Sequence, residues 1–197
     1  MAWRGGSWSP RIRSVALLDF PQHNTAPSRA VEPAAFRAVM SRFATGVTVI
    51  SHWHGNEPAG MTANAFLSVS MEPPLILVSV RRQSQFNACV SLGDRYGVNF
   101  LAEDQQALSS HFGGRRNPDA QAAFFEMLDT PLLEGSLAHV VARVIDLHDA
   151  GDHVLHIAEV ELTHQGRDAR PLIFFGGTYK QIQAHAVPVQ WHSADGW

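Results

Sequence analysis

The stretch "LAHVVARVIDLHDAGDHVLHIAEVELTHQ", residues 137–165, constrains the fold more than any other. Two long β-branched runs flank "DAGD", whose Asp and Gly residues are turn formers. The pattern predicts a long antiparallel hairpin. A hairpin alone is marginal in water, so it must recruit further strands to bury a face. The chain supplies them: "TGVTVISHW", "MTANAFLSVS", "PLILVSV", "RYGVNFL" and a closing strand "PLIFFGGTYKQI". Strands outnumber helices and several neighbours are joined by short turns. That combination predicts a mainly β fold, a closed antiparallel barrel with a few covering helices.

The helices are short. "EPAAFRAVMSRFA" places Phe36, Val39, Met40 and Phe43 at helical spacing behind Pro33, so one face is apolar. "RRQSQFNACVSL" is read as a loop and a brief helix with Ser84 as N-cap. "AEDQQALSSHF" is a helix stopped by Gly113-Gly114. Residues 115–130 form an irregular excursion around the amphipathic piece "AQAAFFEML". "HGNEPAG" is a turn.

The chain of 197 residues fits one domain, residues 31–182, between an N-terminal arm (1–30) and a tail (183–197). The arm carries Arg4, Arg11 and Arg13 before "SVALLDF", but that run is short and interrupted by Asp19, so it is read as an extension and not a signal peptide. A net charge of −3 gives no basic field for nucleic acid. No apolar run reaches the ~20 residues that span a bilayer. One cysteine, Cys89, excludes an internal disulfide and fits a reducing cytoplasm. Fingerprints for nucleotide folds, serine hydrolases and zincins are absent.

Three stretches carry chemistry. In "GMTANAFLSVS" the small residues Thr62, Asn64 and Ala65 leave the backbone approachable, as a flat heterocycle with carbonyl and imide edges requires. A solvent-facing edge strand would read the same way. "SVRRQSQF" sets Arg81 and Arg82 before a capped helix start, a socket for phosphate or simply a solvated loop. "HDAGDHVLHIAEV" offers His148, Asp152, His153 and His156. A metal there is disfavoured, because His153 and His156 are three apart on a strand and point to opposite faces. His153 at the hairpin mouth suits contact with a charged or amide-bearing ligand, or is an ordinary turn histidine. His52 and His54 share a strand face beside a turn and are expected to be exposed.

The order "FRAVMSRFATGVTVIS", "GMTANAFLSVSMEPPLILVSV", "GVNFLA", "DAGDH" and "PLIFFGGTYKQI" resembles the flavin reductase-like family over residues 33 to about 182. These are the reductase components of two-component flavin-dependent monooxygenases. The resemblance implies an antiparallel Greek-key split barrel, the FMN-binding split barrel, assembled as a homodimer. It implies reduction of free FMN or FAD by NADH or NADPH, with the reduced flavin diffusing to a separate monooxygenase. Met61, Thr62, Ala63, Asn64 and Ala65 would line the ring, with Ser68 near it. Ser79, Val80 and Arg81 would meet the ribityl chain and phosphate, and Ser84 and Gln85 the phosphate end. His111-Phe112 stands where the family often has Arg-Phe, near the flavin tail. His153 would lie by the nicotinamide, and Tyr179 belongs to the closing strand. The rival readings are a non-catalytic flavin-binding or storage protein, an FMN-dependent oxidase on a related barrel, and a purely structural module.

Overall fold

The computed structural model of the chain describes residues 30–115, 117 and 120–182. The expected arm and tail lie outside these residues, apart from the arm's last residue. Helix α1 (Pro33–Met40) precedes strands β1 (Thr45–Gly46), β2 (Thr48–His54), β3 (Glu57–Ala63), β4 (Phe66–Met71) and β5 (Pro74–Arg81). Then come α2 (Gln85–Cys89), β6 (Arg95–Phe100), a 3₁₀ turn and α3 (Gln106–Phe112). The chain continues through β7 (Phe124–Met127), β8 (Thr130–Leu133), β9 (Ala138–Ala150), β10 (His153–Gln165), β11 (Ile173–Phe175) and β12 (Thr178–Lys180).

Seven strands form one antiparallel sheet in the order β3-β2-β6-β9-β10-β5-β4. β3 and β4 are its two opposite edges, yet only Asn64 and Ala65 separate them in the chain. A linkage so short reaches about 10 Å at most, so the two edges must meet. The sheet therefore rolls into a barrel whose last seam is crossed by covalent chain instead of a hydrogen-bonded ladder. This is the split of a split barrel. One bond across the seam region, Ser79 N–H to Ala65 O at 3.0 Å, ties the crossing to β5. The long β9–β10 hairpin supplies the curvature, with register shifts at Ile157/Ala158 and Val160/Leu162.

The barrel is filled by alternating inward side chains: Ile50, Val78, Val80, Tyr96, Val98, Val144 and Ala158 are buried, with Phe86 of α2 among them. Val47, Val49, Leu101, Leu133 and Leu172 form a second cluster. The hairpin β7–β8 packs against the barrel with all four residues of β8 buried. A Cβ on Gly97 would lie 2.6 Å from Leu132 and 2.9 Å from Pro131 O, so that approach needs a glycine.

Several sequence expectations change. The stretch 60–70 is two strands on opposite edges, broken at Asn64-Ala65. The excursion 115–130 ends in the β7 strand, and Leu128 and Asp129 turn it with φ of 49° and 53°. "PLIFFGGTYKQI" is a hairpin, not one strand: Gly176 and Gly177 take φ of 61° and 78°, which glycine adopts freely. That hairpin pairs with β1 in a separate small sheet. His52 is buried at 3% exposure, its ring edge-on to Phe86 at 5.2 Å, while His54 is exposed as expected. Helix α1 forms, but its apolar face does not meet the core: Phe36, Val39, Met40 and Phe43 are all exposed.

Candidate functional site

The seam where β3 hands over to β4 opens into a cleft of ≈ 570 Å³. That volume falls in the range of small-molecule sites. One wall is Met61, Thr62, Ala63, Asn64 and Ala65. Opposite lie Ser79, Val80, Arg81 and Ser84, at the end of β5 and the start of α2. Phe112 and Gly113 close one side, and His153 stands at the rim. The cleft continues past Thr62, Asn64 and Gly113 into a recess of ≈ 300 Å³ that includes Ser109, Arg115, Phe174 and Tyr179.

Each wall is positioned by bonds that leave its ligand-facing groups available. Thr62 Oγ1 donates to Ser109 O at 2.7 Å, which docks α3 against β3. Asn64 is exposed at the seam, and among the described residues its side-chain amide makes no hydrogen bond. Arg81 ends β5 opposite His153 of β10, so the two side chains start from one strand pair. Arg82 is committed elsewhere, to Asp149 Oδ1 at 2.7 Å and Gly151 O at 3.2 Å. Arg81 has no such partner among the described residues, which leaves one guanidinium at the cleft. Ser84 caps α2 by accepting from Asn87 N–H at 3.4 Å, and its own O–H remains a donor.

His153 Nδ1 lies 2.7 Å from Asp152 Oδ1. The hydrogen bond from His153 and the charge beside it hold the Asp152 carboxyl below its usual range. With Nδ1–H donating to the carboxylate, Nε2 is left for a ligand. His156, three residues on, points inward and is buried, as strand alternation requires. Among the described residues no His, Cys, Asp and Glu cluster is arranged to hold a metal. Neither is any helix among them long and apolar enough to cross a membrane.

The donor set suits a flavin. A wall of small side chains admits a flat ring, Asn64 can both donate and accept at its edge, and Arg81 with Ser84 provides a cation and a hydroxyl where an anionic tail would end. Of the residues expected from sequence, eleven line this cleft together: Met61, Thr62, Ala63, Asn64, Ala65, Ser79, Val80, Arg81, Ser84, Phe112 and His153. Four lie apart. Ser68 is half-buried in β4, past the seam. Gln85 is exposed beyond the cap, with Nε2 3.5 Å from His54 Nε2. The His111 ring is turned to the following loop, with Nδ1 3.2 Å from Asn117 O. Tyr179 belongs to the recess, its hydroxyl 2.9 Å from Ser109 Oγ. Gly113 reads in the sequence only as a helix stop, and Asp152 as a turn residue and a disfavoured metal ligand, not as the partner of His153.

Comparison with known proteins is consistent with this geometry. The chain is 37% identical over 156 residues to an NADH-dependent flavin reductase from Rhodococcus sp., covering 78% of this chain and 88% of that one. It is 36% identical to the reductase subunit of a flavin-dependent monooxygenase from Rhodococcus jostii (strain RHA1), covering 83% and 86%. Among solved structures it resembles the NADH:FAD oxidoreductase of Streptomyces globisporus in complex with NAD and FAD fragments, with a TM-score of 0.70 and 30% identity, covering 81% and 99%. Residues 40–183 match the model of the flavin reductase like domain, and the chain belongs to that family.

Proposed function

We propose that this protein is an NAD(P)H-dependent flavin reductase that supplies reduced FMN or FAD to a separate monooxygenase. The observation that carries the reading is the seam cleft itself. A wall without bulky side chains faces an unpaired arginine and a capping hydroxyl, with a histidine fixed at the rim. The relatives named above are described as NADH-dependent and as a monooxygenase subunit, which supports both the hydride donor and the partner.

A bound flavin would supply the acceptor for hydride from the nicotinamide. The chain's own task is placement. Thr62 to Ala65 hold the ring edge against the seam. Arg81 and Ser84 anchor the phosphate. The His153 imidazole, oriented by Asp152, presents Nε2 to the nicotinamide carboxamide or its pyrophosphate. α2 has only five residues, so its dipole is weak and Arg81 carries most of the positive charge at this end. The second nucleotide lies over the first, which explains a dinucleotide enzyme without a dinucleotide-binding fold.

The functional unit is a homodimer. The exposed apolar residues Phe36, Val39 and Met40 on α1, Phe43 just after it, and Leu67, Val69 and Met71 on β4 are faces that a second copy would cover. Reduced flavin leaves through the open cleft and reaches the oxygenase by diffusion.

The test is oxidation of NADH and NADPH with FMN, FAD and riboflavin added in turn. Turnover is expected only with flavin present. No flavin-dependent oxidation, together with no quenching of flavin fluorescence, refutes the reading. His153→Ala is expected to raise the KM for NADH about tenfold, the equivalent of one charge-assisted hydrogen bond, with flavin affinity unchanged. If the KM for NADH stays at the wild-type value, His153 does not contact the nucleotide.

A further inference from the structure

A buried imidazole lies beneath the phosphate end of the cleft. His156 on β10 is 1% exposed and stands edge-on to Phe86 at 5.0 Å. Its Nε2 is 2.6 Å from Asn87 Oδ1. The tautomer follows from the next link. Asn87 Nδ2 donates to Arg81 O at 2.7 Å, so Oδ1 is the atom turned to the ring, and His156 must carry its proton on Nε2. Burial lowers the imidazole to about 4, so the ring is neutral at ordinary pH and this donor is constant.

Asn87 ties two other groups. Its backbone N–H points to Ser84 Oγ at 3.4 Å, and Ser84 N–H donates to Arg81 O at 2.9 Å. One core side chain is thus joined through Asn87 to both residues that close the cleft at its charged end, to Arg81 O by the side-chain amide and to Ser84 by the backbone N–H. The turn between Arg81 and Ser84 is largely exposed, and a five-residue helix cannot stiffen it alone. Its other ties to the barrel run through Arg82, to Asp152 O, Asp149 and Gly151 O, and none of them reaches Arg81 O or Ser84. Removing the Nε2–H donor would leave Asn87 Oδ1 without its partner. The amide could then rotate, and Arg81 O would lose one of its two donors.

We propose that His156 is a positioning residue for the flavin phosphate: acting through Asn87, it holds the Arg81–Ser84 turn in the shape that grips a phosphoryl group. It would thereby set the preference for FMN over riboflavin. The inference rests on the reading of that turn as the phosphate site.

The experiment measures KM for FMN and for riboflavin with saturating NADH in wild type, His156→Leu, His156→Gln, Asn87→Ala and Arg81→Ala. Loss of one hydrogen bond predicts that His156→Leu raises the KM for FMN by about fivefold to tenfold and that for riboflavin by less than about twofold. His156→Gln, whose amide can still donate to Asn87, returns the FMN value toward wild type. Asn87→Ala, at a half-buried position, severs the same link and serves if His156→Leu does not fold. Equal shifts for FMN and riboflavin, or no shift, overturn the brace while Arg81→Ala still separates the two flavins. If Arg81→Ala does not separate them, the phosphate lies elsewhere and both ideas fall.

Discussion

Between pH 7 and pH 4.5 this protein is expected to lose about 5 kcal/mol of stability, well before its paired carboxylates protonate. The main cause is two buried imidazoles, with a third, His139, lowered in the same direction by burial. His52 and His156 are 3% and 1% exposed, and burial lowers both to about 4, with the charge of His54 adding to the effect on His52. Both flank Phe86, whose ring offers no acceptor for a new N–H. The unfolded chain takes up protons near pH 6.5, and the folded chain refuses them until about 4. Stability therefore rises with pH across that window and falls as pH drops through it; above it these two rings contribute no slope. Each ring accounts for about 2–3 kcal/mol at pH 4.5. Glu161 and Asp104 act in a lower range, because the hydrogen bonds from Arg95 and Arg167 hold their carboxyls down. Urea titrations at pH 7, 5.5 and 4.5 measure the slope directly. His52→Phe should flatten it by somewhat less than half, because His156 and His139 remain. A stability unchanged from pH 7 to 4.5 would show that these rings titrate normally in the fold.

The same interior marks how far the sequence could be read. The long hairpin was legible because "DAGD" and two β-branched runs are local signals, and strand alternation alone separated His153 from His156. The seam was not legible. That β3 and β4 are opposite edges of one sheet is a consequence of closure, and no residue within "MTANAFLSVS" announces it. His52 was misjudged for a related reason. Its neighbour, Phe86, is 34 positions later and enters the barrel only because α2 folds over its end. The Gly-Gly turn of β11–β12 was visible as composition, but "PLIFF" beside it reads as one continuous strand.

The site was legible where it is made of consecutive residues. Met61 to Ala65 form one wall because they are the end of β3 and the two-residue crossing that follows it, and Arg81 and Ser84 adjoin because a turn joins them. What brings the two walls together is nonlocal pairing: β5 meets β10, so Arg81 stands opposite His153, 72 positions away. His111 failed to reach the cleft for a local reason. Helix periodicity turns Phe112 inward, and its neighbour then faces the loop after Gly114. The pairing of Asp152 with His153 was not legible, because the partner of a turn histidine is set by turn geometry and not by spacing.

The largest expected effect on ligand binding is at Arg81. Arg81→Ala is expected to weaken FMN about 10- to 100-fold, measured by fluorescence quenching, while riboflavin binding changes less than about twofold. Arg81 ends β5 and Arg82 opens the turn after it, but Arg82 is already held by Asp149 and Gly151, so its charge is matched at the hairpin turn. Among the described residues Arg81 brings to this end of the cleft a guanidinium with no hydrogen-bonded partner. Because that guanidinium is exposed, its contribution is screened, which favours the lower end of the range and makes it depend on ionic strength. Raising salt should therefore weaken FMN in the wild type and have less effect in Arg81→Ala. Arg81→Lys keeps the charge but loses the fork of donors, so it should fall between the two. Arg82→Ala should behave differently, loosening the turn that carries His153 and raising the KM for NADH more than the Kd for FMN. If Arg82→Ala costs FMN affinity as much as Arg81→Ala does, the two arginines share the phosphate, and the division of labour drawn from their hydrogen bonds is wrong.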